Sequence, residues 1–137
     1  CNVSGISRKE KHLEVAKKLG ADNIFVYSSN QDQFLEDVKK KYGLFDAAIV
    51  FAPVDEVTDT AIKSIKKGGT VVIATVGKIP NFLAFEEKTV RGTLIGSRKD
   101  MEDVIKISDE HNLEVVTESF PLEQVNEVLL KLKNSEI

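Results

Sequence analysis

The sequence predicts an α/β fold, a doubly wound parallel sheet with helices on both faces. Short runs rich in β-branched residues alternate with helical patterns along the chain, which is typical of strands joined by crossover helices. The clearest strand, 70–73, is apolar on both faces, as expected of a strand buried between helical layers. Gly68 and Gly69 precede it and a small-residue turn follows. We expect that turn at the carboxyl edge of the sheet, where open α/β sheets bind ligands.

Composition narrows the possible classes of protein. The 137 residues are 42% hydrophobic and 30% charged, which fits a soluble globular chain with a real core. The net charge of −3 gives no reason to expect nucleic-acid binding, and no segment approaches membrane-spanning length. A single cysteine, Cys1, leaves no internal disulfide or cysteine metal cluster, and no signal peptide is visible, so we expect a cytoplasmic location.

Strand and helix signals follow one another without a linker, so the sequence predicts a single domain over 1–137. The expected strands are 3–6, 23–27, 45–51, 70–73 and 89–95. The first expected helix begins at Ser7, and the second follows the turn 28–30, which contains a candidate cap. Asp55 is the candidate cap of the third helix, Asp100 begins the fourth, and Pro121 lies in the first turn of the last. Ser7 and Glu10 have capping-box spacing, and Gly68 or Gly69 is the expected C-cap of the third helix. The opening run lacks an initiating methionine and reads as a strand, so we expect a fragment of a larger protein.

The run Ser7-Arg8-Lys9 is the first candidate binding site. Two cations in the first helical turn are unfavourable against the helix dipole unless an anion binds there. Backbone N–H groups, the Ser7 hydroxyl and a guanidinium together suit a phosphate. A dinucleotide with a free ribose hydroxyl would favour an acidic residue at this strand end, so Ser7 and Arg8 favour the 2′-phosphate of NADP(H). In the alternative, Ser7 only caps the helix and the cations are only solvated.

Turns after three later strands form a second candidate group. Ala52-Pro53, Thr75-Val76-Gly77 and Gly96-Ser97 are small enough for a flat ring and its ribose to approach the backbone. The alternative is that they are ordinary strand-to-helix turns. The sequence has no G-x-G-x-x-G run and no P-loop, and His12 and His111 are expected to be surface residues. We find no nucleophile, base and orienting group together, and therefore predict no catalytic residue and no metal ligand in this chain.

Several runs, taken in order, resemble a known family. They are Ala16-Lys17-Lys18-Leu19-Gly20-Ala21-Asp22, Phe45-Asp46-Ala47-Ala48-Ile49-Val50, Lys67-Gly68-Gly69-Thr70-Val71-Val72-Ile73, Val90-Arg91-Gly92-Thr93-Leu94-Ile95-Gly96-Ser97 with Asp100, and Phe120-Pro121-Leu122-Glu123-Gln124-Val125-Asn126. Together they are similar to the cofactor domain of medium-chain, zinc-type alcohol dehydrogenases, over nearly the whole chain. The stretch from Gly96 to Asp100 is more similar to the zinc branch than to the zinc-free quinone reductases.

The resemblance implies a partial, Rossmann-like NAD(P)-binding domain. Ser7 falls where NAD-using members carry an acid, and Arg8 and Lys9 follow it as in NADP-using members. The implied contacts around the nicotinamide and the central crevice are Phe51, Ala52, Ala74, Thr75, Val76, Leu94, Ile95 and Gly96. A weak further phosphate contact is implied at His12. The first Rossmann strand with its glycine-rich turn, and the catalytic domain with its zinc ligands, would lie outside this chain.

We therefore expect the cofactor-binding part of an NADP(H)-preferring alcohol dehydrogenase, with NAD also possible, that uses zinc bound outside this chain. It would move hydride between nicotinamide and an alcohol, aldehyde or ketone, and the fragment alone would be inactive. The alternatives are a zinc-free quinone or enoyl reductase, or a non-catalytic domain that binds a nucleotide or a protein partner. The resemblance also implies a homodimer through the last strand of the sheet.

The resemblance makes a specific prediction about the sheet. In the strand order 3-2-1-4-5-6 the missing first strand is a middle one. We expect either a gap between the strands 3–6 and 45–51, filled by residues outside this chain, or direct pairing of those two strands.

Overall fold

A computed structural model describes residues 1–27, 30–79, 82–134 and 136. The strands are β1 (Ser4–Ser7), β2 (Asn23–Val26), β3 (Phe45–Val50), β4 (Ile65–Ile73) and β5 (Thr89–Gly92). The helices are α1 (Glu10–Lys18), α2 (Gln31–Tyr42), α3 (Asp55–Ser64), α4 (Arg98–His111) and α5 (Val125–Lys133), with short 3₁₀ turns at Ala84–Glu86 and Leu122–Gln124. The alternation confirms the α/β class. Ser28 and Ser29 of the expected turn lie outside the described residues.

The strands form two parallel sheets. One contains β1 and β2, in a register that pairs Ser7 with Val26. The other has the order β3-β4-β5 and pairs Val50 with Ile73 and Ile73 with Gly92. In the part of the chain that the structure describes, β1 and β3 do not pair. Of the two alternatives expected, direct pairing is therefore wrong, and the sheet is interrupted between β1 and β3.

Apolar side chains of β3, α3 and β4 build the main core. Val50, Ile62, Ile65, Val71 and Ile73 are buried together there. Within the run 70–73 only Val71 and Ile73 are buried, whereas Thr70 and Val72 on the other face are partly exposed, so the expected burial on both faces is seen on one face only. A second group packs aromatic rings edge to face around β2, where the Phe25 ring centroid lies 5.1 Å from that of Tyr42 and 6.4 Å from that of Phe45 on β3.

The expected start of the first helix is wrong. Ser7 is the last residue of β1, and Lys9 is the N-cap of α1, which begins at Glu10 without a side-chain cap. Arg8 and Lys9 therefore precede the helix instead of occupying its first turn. The turn before α2 contains a cap, as predicted: Asn30 is that cap, because its Oδ1 accepts a hydrogen bond from the N–H of Gln33 at 3.1 Å.

The expected ends of α3 are also wrong. Val54 is its N-cap and Asp55 is its first residue. The helix ends at Ser64 and the chain runs directly into β4, so neither Gly68 nor Gly69 is a C-cap. Instead Gly68, with φ of +75°, lies inside β4 where its register with β3 shifts between Phe45 and Ala47. The last predicted strand, 89–95, is shorter than expected and ends at Gly92.

Residue contacts divide the chain into two compact units, Cys1–Asp103 and Val104–Ile137. The first contains both sheets and every candidate site residue. The second contains the end of α4, the 3₁₀ turn Leu122–Gln124, which Pro121 precedes, and α5. No helix in the described ranges is both long and apolar enough to cross a membrane.

Candidate functional site

The carboxyl ends of β3, β4 and β5 lie side by side. All three strands are parallel. Two backbone bonds continue the ladder beyond them: the N–H of Ala74 donates to the carbonyl of Val50 at 2.9 Å, and that of Thr93 donates to the carbonyl of Ile73 at 3.0 Å. The segments that follow these strands therefore share one edge, where parallel sheets form ligand crevices.

Tyr27 places the ends of β1 and β2 at that same edge. Its N–H donates to the Ser7 carbonyl at 2.9 Å, and its hydroxyl donates to Glu56 Oε1 at 2.7 Å and lies 3.2 Å from Thr60 Oγ1. Glu56 is in the first turn of α3, which directly follows β3. Burial, and to a smaller extent the neighbouring Glu56 carboxylate, raise the pKa of Tyr27, so its phenol stays protonated at neutral pH.

Further polar contacts join α2 to α3 beside Tyr27. Gln31 Nε2 donates to Thr60 Oγ1 at 2.7 Å and to Asp59 Oδ2 at 3.0 Å. Lys63 Nζ lies 2.6 Å from Asp59 Oδ2, and its hydrogen bond to this carboxylate raises the pKa of Lys63. Sequence reasoning missed the contacts of Gln31 with α3 because they join residues 28 and 29 positions apart, which no local spacing predicts.

Ser7, Arg8, Lys9 and His12 lie at one corner of this edge. Ser7 Oγ accepts a hydrogen bond from the N–H of Lys9 at 3.2 Å and lies 3.4 Å from Nδ1 of His12. The Arg8 side chain is exposed. The corner thus combines a hydroxyl, two cations and an imidazole, and it has no acidic residue at the end of β1. His12, expected at the surface, is exposed and also contacts the candidate site through Ser7.

The segments after β3, β4 and β5 carry exposed apolar side chains at the same edge. Phe51 is 75% exposed, Val76 87%, Leu94 85% and Ile95 100%. Between them stand the small residues Ala52, Ala74, Thr75 and Gly96. Ile95 has φ of +42°, which is unusual for a β-branched residue and had no sequence signal. The edge therefore exposes cations at the Ser7 corner and apolar side chains after β3, β4 and β5.

Hydrogen bonds within the segment 96–100 join Ser97 to Asp100. Asp100 Oδ2 accepts hydrogen bonds from the Ser97 N–H at 2.6 Å and from the Ser97 hydroxyl at 2.7 Å, and the Asp100 N–H donates to Ser97 Oγ at 3.2 Å. These bonds lower the pKa of Asp100. A Cβ on Gly96 would lie 3.2 Å from that of Asp100, so the cap depends on a small residue at 96.

Among the residues that the structure describes, no group of three or more His, Cys, Asp or Glu side chains is placed to hold a metal ion. These described residues therefore do not fit a zinc site.

Comparison with known proteins gives consistent relatives. Residues 1–110 match a family model described as zinc-binding dehydrogenase. An alcohol dehydrogenase of Geobacillus stearothermophilus is 29% identical over 99% of this chain and 41% of its own length. A putative alcohol dehydrogenase D of Mycobacterium tuberculosis is 32% identical over 83% of this chain and 35% of its own length. The chain therefore spans about two fifths of the curated relatives it matches.

Solved structures share the fold. The alcohol dehydrogenase of the archaeon Aeropyrum pernix superimposes with a TM-score of 0.86 at 19% identity, covering 100% of this chain and 41% of its own. D-arabinose dehydrogenase of Sulfolobus solfataricus gives 0.73 at 27% identity over 89% of this chain and 39% of its own. Acetophenone reductase of Geotrichum candidum, in complex with NAD, gives 0.80 at 20% identity over 99% of this chain and 39% of its own. Since the family model covers most of its length, the chain belongs to the zinc-binding dehydrogenase family, as an alcohol dehydrogenase-type domain of the medium-chain dehydrogenase/reductase superfamily.

Proposed function

We propose that 1–137 is a single dinucleotide-binding domain within a longer, NADP(H)-preferring and zinc-dependent alcohol dehydrogenase. Family membership supports a dinucleotide cofactor. The share of about 41% in matched relatives, and the interruption between β1 and β3, support a longer parent protein. The parent would transfer hydride between nicotinamide and a small alcohol, aldehyde or ketone, and this chain alone would be inactive.

The NADP preference rests on the corner at the end of β1. A free ribose hydroxyl is usually held there by an acidic side chain. Here Ser7, Arg8 and Lys9 occupy the corner, and an exposed guanidinium can hold a 2′-phosphate through two parallel hydrogen bonds. The single observation that carries the proposal is that the end of β1 has Ser7 in place of an acid, followed by the exposed Arg8. NAD remains a usable cofactor, since a relative of the same fold is a complex with NAD.

The nicotinamide end would lie against the apolar part of the edge. In this arrangement Ala74, Thr75 and Val76 flank one side of the ring, Leu94, Ile95 and Gly96 flank the other, and Phe51 and Ala52 line the crevice between them. The bound nicotinamide supplies the carbon that accepts or donates hydride. The chain itself would orient the ring and exclude water from it. The apolar side chains that would do this are exposed in the structure, and a bound ring would cover them.

The remaining components would come from outside this chain. Zinc ligands and the substrate pocket belong to the catalytic part of the parent, which we place in the cytoplasm. A homodimer could form along β5, because among the described strands β5 pairs only with β4 and an open edge favours pairing with a second copy.

The proposal is tested by titrating the full-length protein with NADPH and NADH and by assaying alcohol oxidation before and after zinc chelation. NADPH is expected to bind more tightly, and chelation is expected to abolish oxidation. Equal affinity for the two dinucleotides would refute the phosphate assignment. Reduction of a quinone or enoyl substrate that survives chelation would identify the zinc-free branch, and failure to bind either dinucleotide would identify a non-catalytic domain.

A further inference from the structure

The turn after β4 is fixed at both ends. At its start, the Ala74 N–H bonds to Val50 of β3 at 2.9 Å. At its end, the Lys78 N–H donates to Oδ1 of Asp55, also at 2.9 Å, across 23 residues of sequence. Asp55 is the first residue of α3 and does not cap that helix. The two bonds enclose the three residues Thr75, Val76 and Gly77.

The same turn rests on Thr58, one helical turn further along α3. Thr58 is fully buried, and within the described ranges its Oγ1 has no hydrogen-bond partner. A Cβ added at Gly77 would lie 3.2 Å from that oxygen and 3.9 Å from Asp55 Oδ1. The backbone at 77 therefore packs directly onto the first turns of α3. A side chain at this position would have to displace Thr58 or move the turn.

We infer that Asp55 is a positioning residue for the nicotinamide, acting through the turn 75–77 with Thr58 as its support. The inference rests on the proposed function, which puts Thr75 and Val76 beside the ring. The Val76 side chain is largely exposed, so its own packing does not fix the turn. The bond from Lys78 to Asp55 does. Hydride transfer is sensitive to displacements of about 1 Å between reacting groups. Loss of this bond should therefore slow hydride transfer, although Asp55 itself touches no cofactor.

A simpler role for Asp55 is electrostatic. A carboxylate in the first turn of a helix is favoured by the helix dipole. Two substitutions separate this role from positioning. Asp55→Asn and Asp55→Ala both remove the charge, but the asparagine keeps a carbonyl oxygen where the Lys78 N–H can donate. Asp32→Ala is a matched control, since Asp32 is an exposed acid in the first turn of α2.

The experiment measures single-turnover hydride transfer in the full-length protein with NADPH and with NADH. We expect Asp55→Ala to slow transfer roughly tenfold with both cofactors, leaving the ratio of their affinities unchanged. Asp55→Asn and Asp32→Ala should stay near the wild-type rate. Equal rates for Asp55→Ala and Asp55→Asn would overturn the inference, and so would a change in the ratio of NADPH affinity to NADH affinity. If wild type binds dinucleotide but Asp55→Ala transfers hydride normally, only this inference fails. If wild type binds none, the proposed function fails with it.

A second pair of variants tests the support from Thr58. Gly77→Ala should slow transfer about threefold, because the new Cβ pushes against Oγ1. Adding Thr58→Ala removes that oxygen and should restore the rate. A double variant as slow as Gly77→Ala alone would overturn the role of Thr58, and thermal unfolding of each variant shows whether loss of folding accounts for any change.

Discussion

The chain contains nearly the same tetrapeptide twice, each time between a parallel strand and a helix. Ser7-Arg8-Lys9-Glu10 begins at the last residue of β1 and ends at the first residue of α1, and Ser97-Arg98-Lys99-Asp100 follows β5 and leads into α4. The second copy forms a reciprocal cap in which serine and acid bond each other's backbone N–H groups. The first copy forms no such cap, and α1 begins at Glu10 without a side-chain cap. Similar local sequence therefore gives one closed corner and one open corner.

The sheet explains the difference. Ser7 is still part of β1, paired with Val26, and its carbonyl accepts the Tyr27 N–H. A residue held in the ladder cannot also turn to cap the next helix. Ser97 lies beyond the end of β5 and directly after Gly96, so its backbone is not held in this way. The open corner leaves Arg8 exposed at the carboxyl edge of the strands, whereas at the closed corner the serine and the acid bond each other.

The largest effect we expect separates the two arginines. Arg8→Ala should weaken NADPH binding by roughly 10- to 100-fold, because a hydrogen bond to a charged phosphate contributes about 1.5–3 kcal/mol. NADH binding should change little. Arg98→Ala, in the same sequence context at the closed corner, should leave both affinities within about twofold. Fluorescence titration of the full-length variants measures this, and equal losses in the two variants would mean that the corners are not functionally different.

A smaller effect concerns the serines and stability. Ser97→Ala removes the acceptor of a helix cap and should lower the free energy of unfolding by about 1 kcal/mol. Ser7→Ala should cost less than about 0.5 kcal/mol, since Ser7 Oγ accepts only one exposed backbone bond and caps no helix. Urea unfolding compares the two. A larger loss for Ser7→Ala would show that the first corner is closed in solution.

The two corners also show what the sequence could predict. The α/β class and the parallel strands followed from periodicity and motif order, whereas the interruption beside β1 was one of two alternatives that the family resemblance implied. The predicted cap at Ser7 was wrong, because S-x-x-E spacing does not show whether the serine is still paired in a strand. The contact of Tyr27 with Glu56 was likewise unreadable, since it joins side chains 29 residues apart. The fold could be predicted from local periodic patterns, whereas the site depends on long-range polar contacts that residue spacing does not predict.

The acid of the closed corner should make stability depend on pH. Hydrogen bonds from Ser97 lower the pKa of Asp100 in the folded state below the unfolded value of about 3.9. A depressed pKa contributes stability that is fully present above the unfolded pKa and is lost as pH falls through the folded pKa. Wild type should therefore be more stable than Asp100→Asn at pH 7, with the difference constant until about pH 5 and shrinking below pH 4. A difference that does not change down to pH 2 would contradict the cap.

The smallest effect concerns Glu10, the acid of the open corner. It lies in the first turn of α1, which begins without a side-chain cap, so the helix dipole is the interaction that favours it there. Glu10→Gln should therefore lower the free energy of unfolding by about 0.3 kcal/mol at low salt. Because an exposed charge–dipole interaction is screened, this loss should vanish in 1 M salt, where the Debye length is about 3 Å. The loss in Asp100→Asn should persist there, since direct hydrogen bonds are screened much less. Urea unfolding at both salt concentrations measures the contrast, and a salt-resistant loss in Glu10→Gln would show that Ser7 and Glu10 form the cap their spacing suggests.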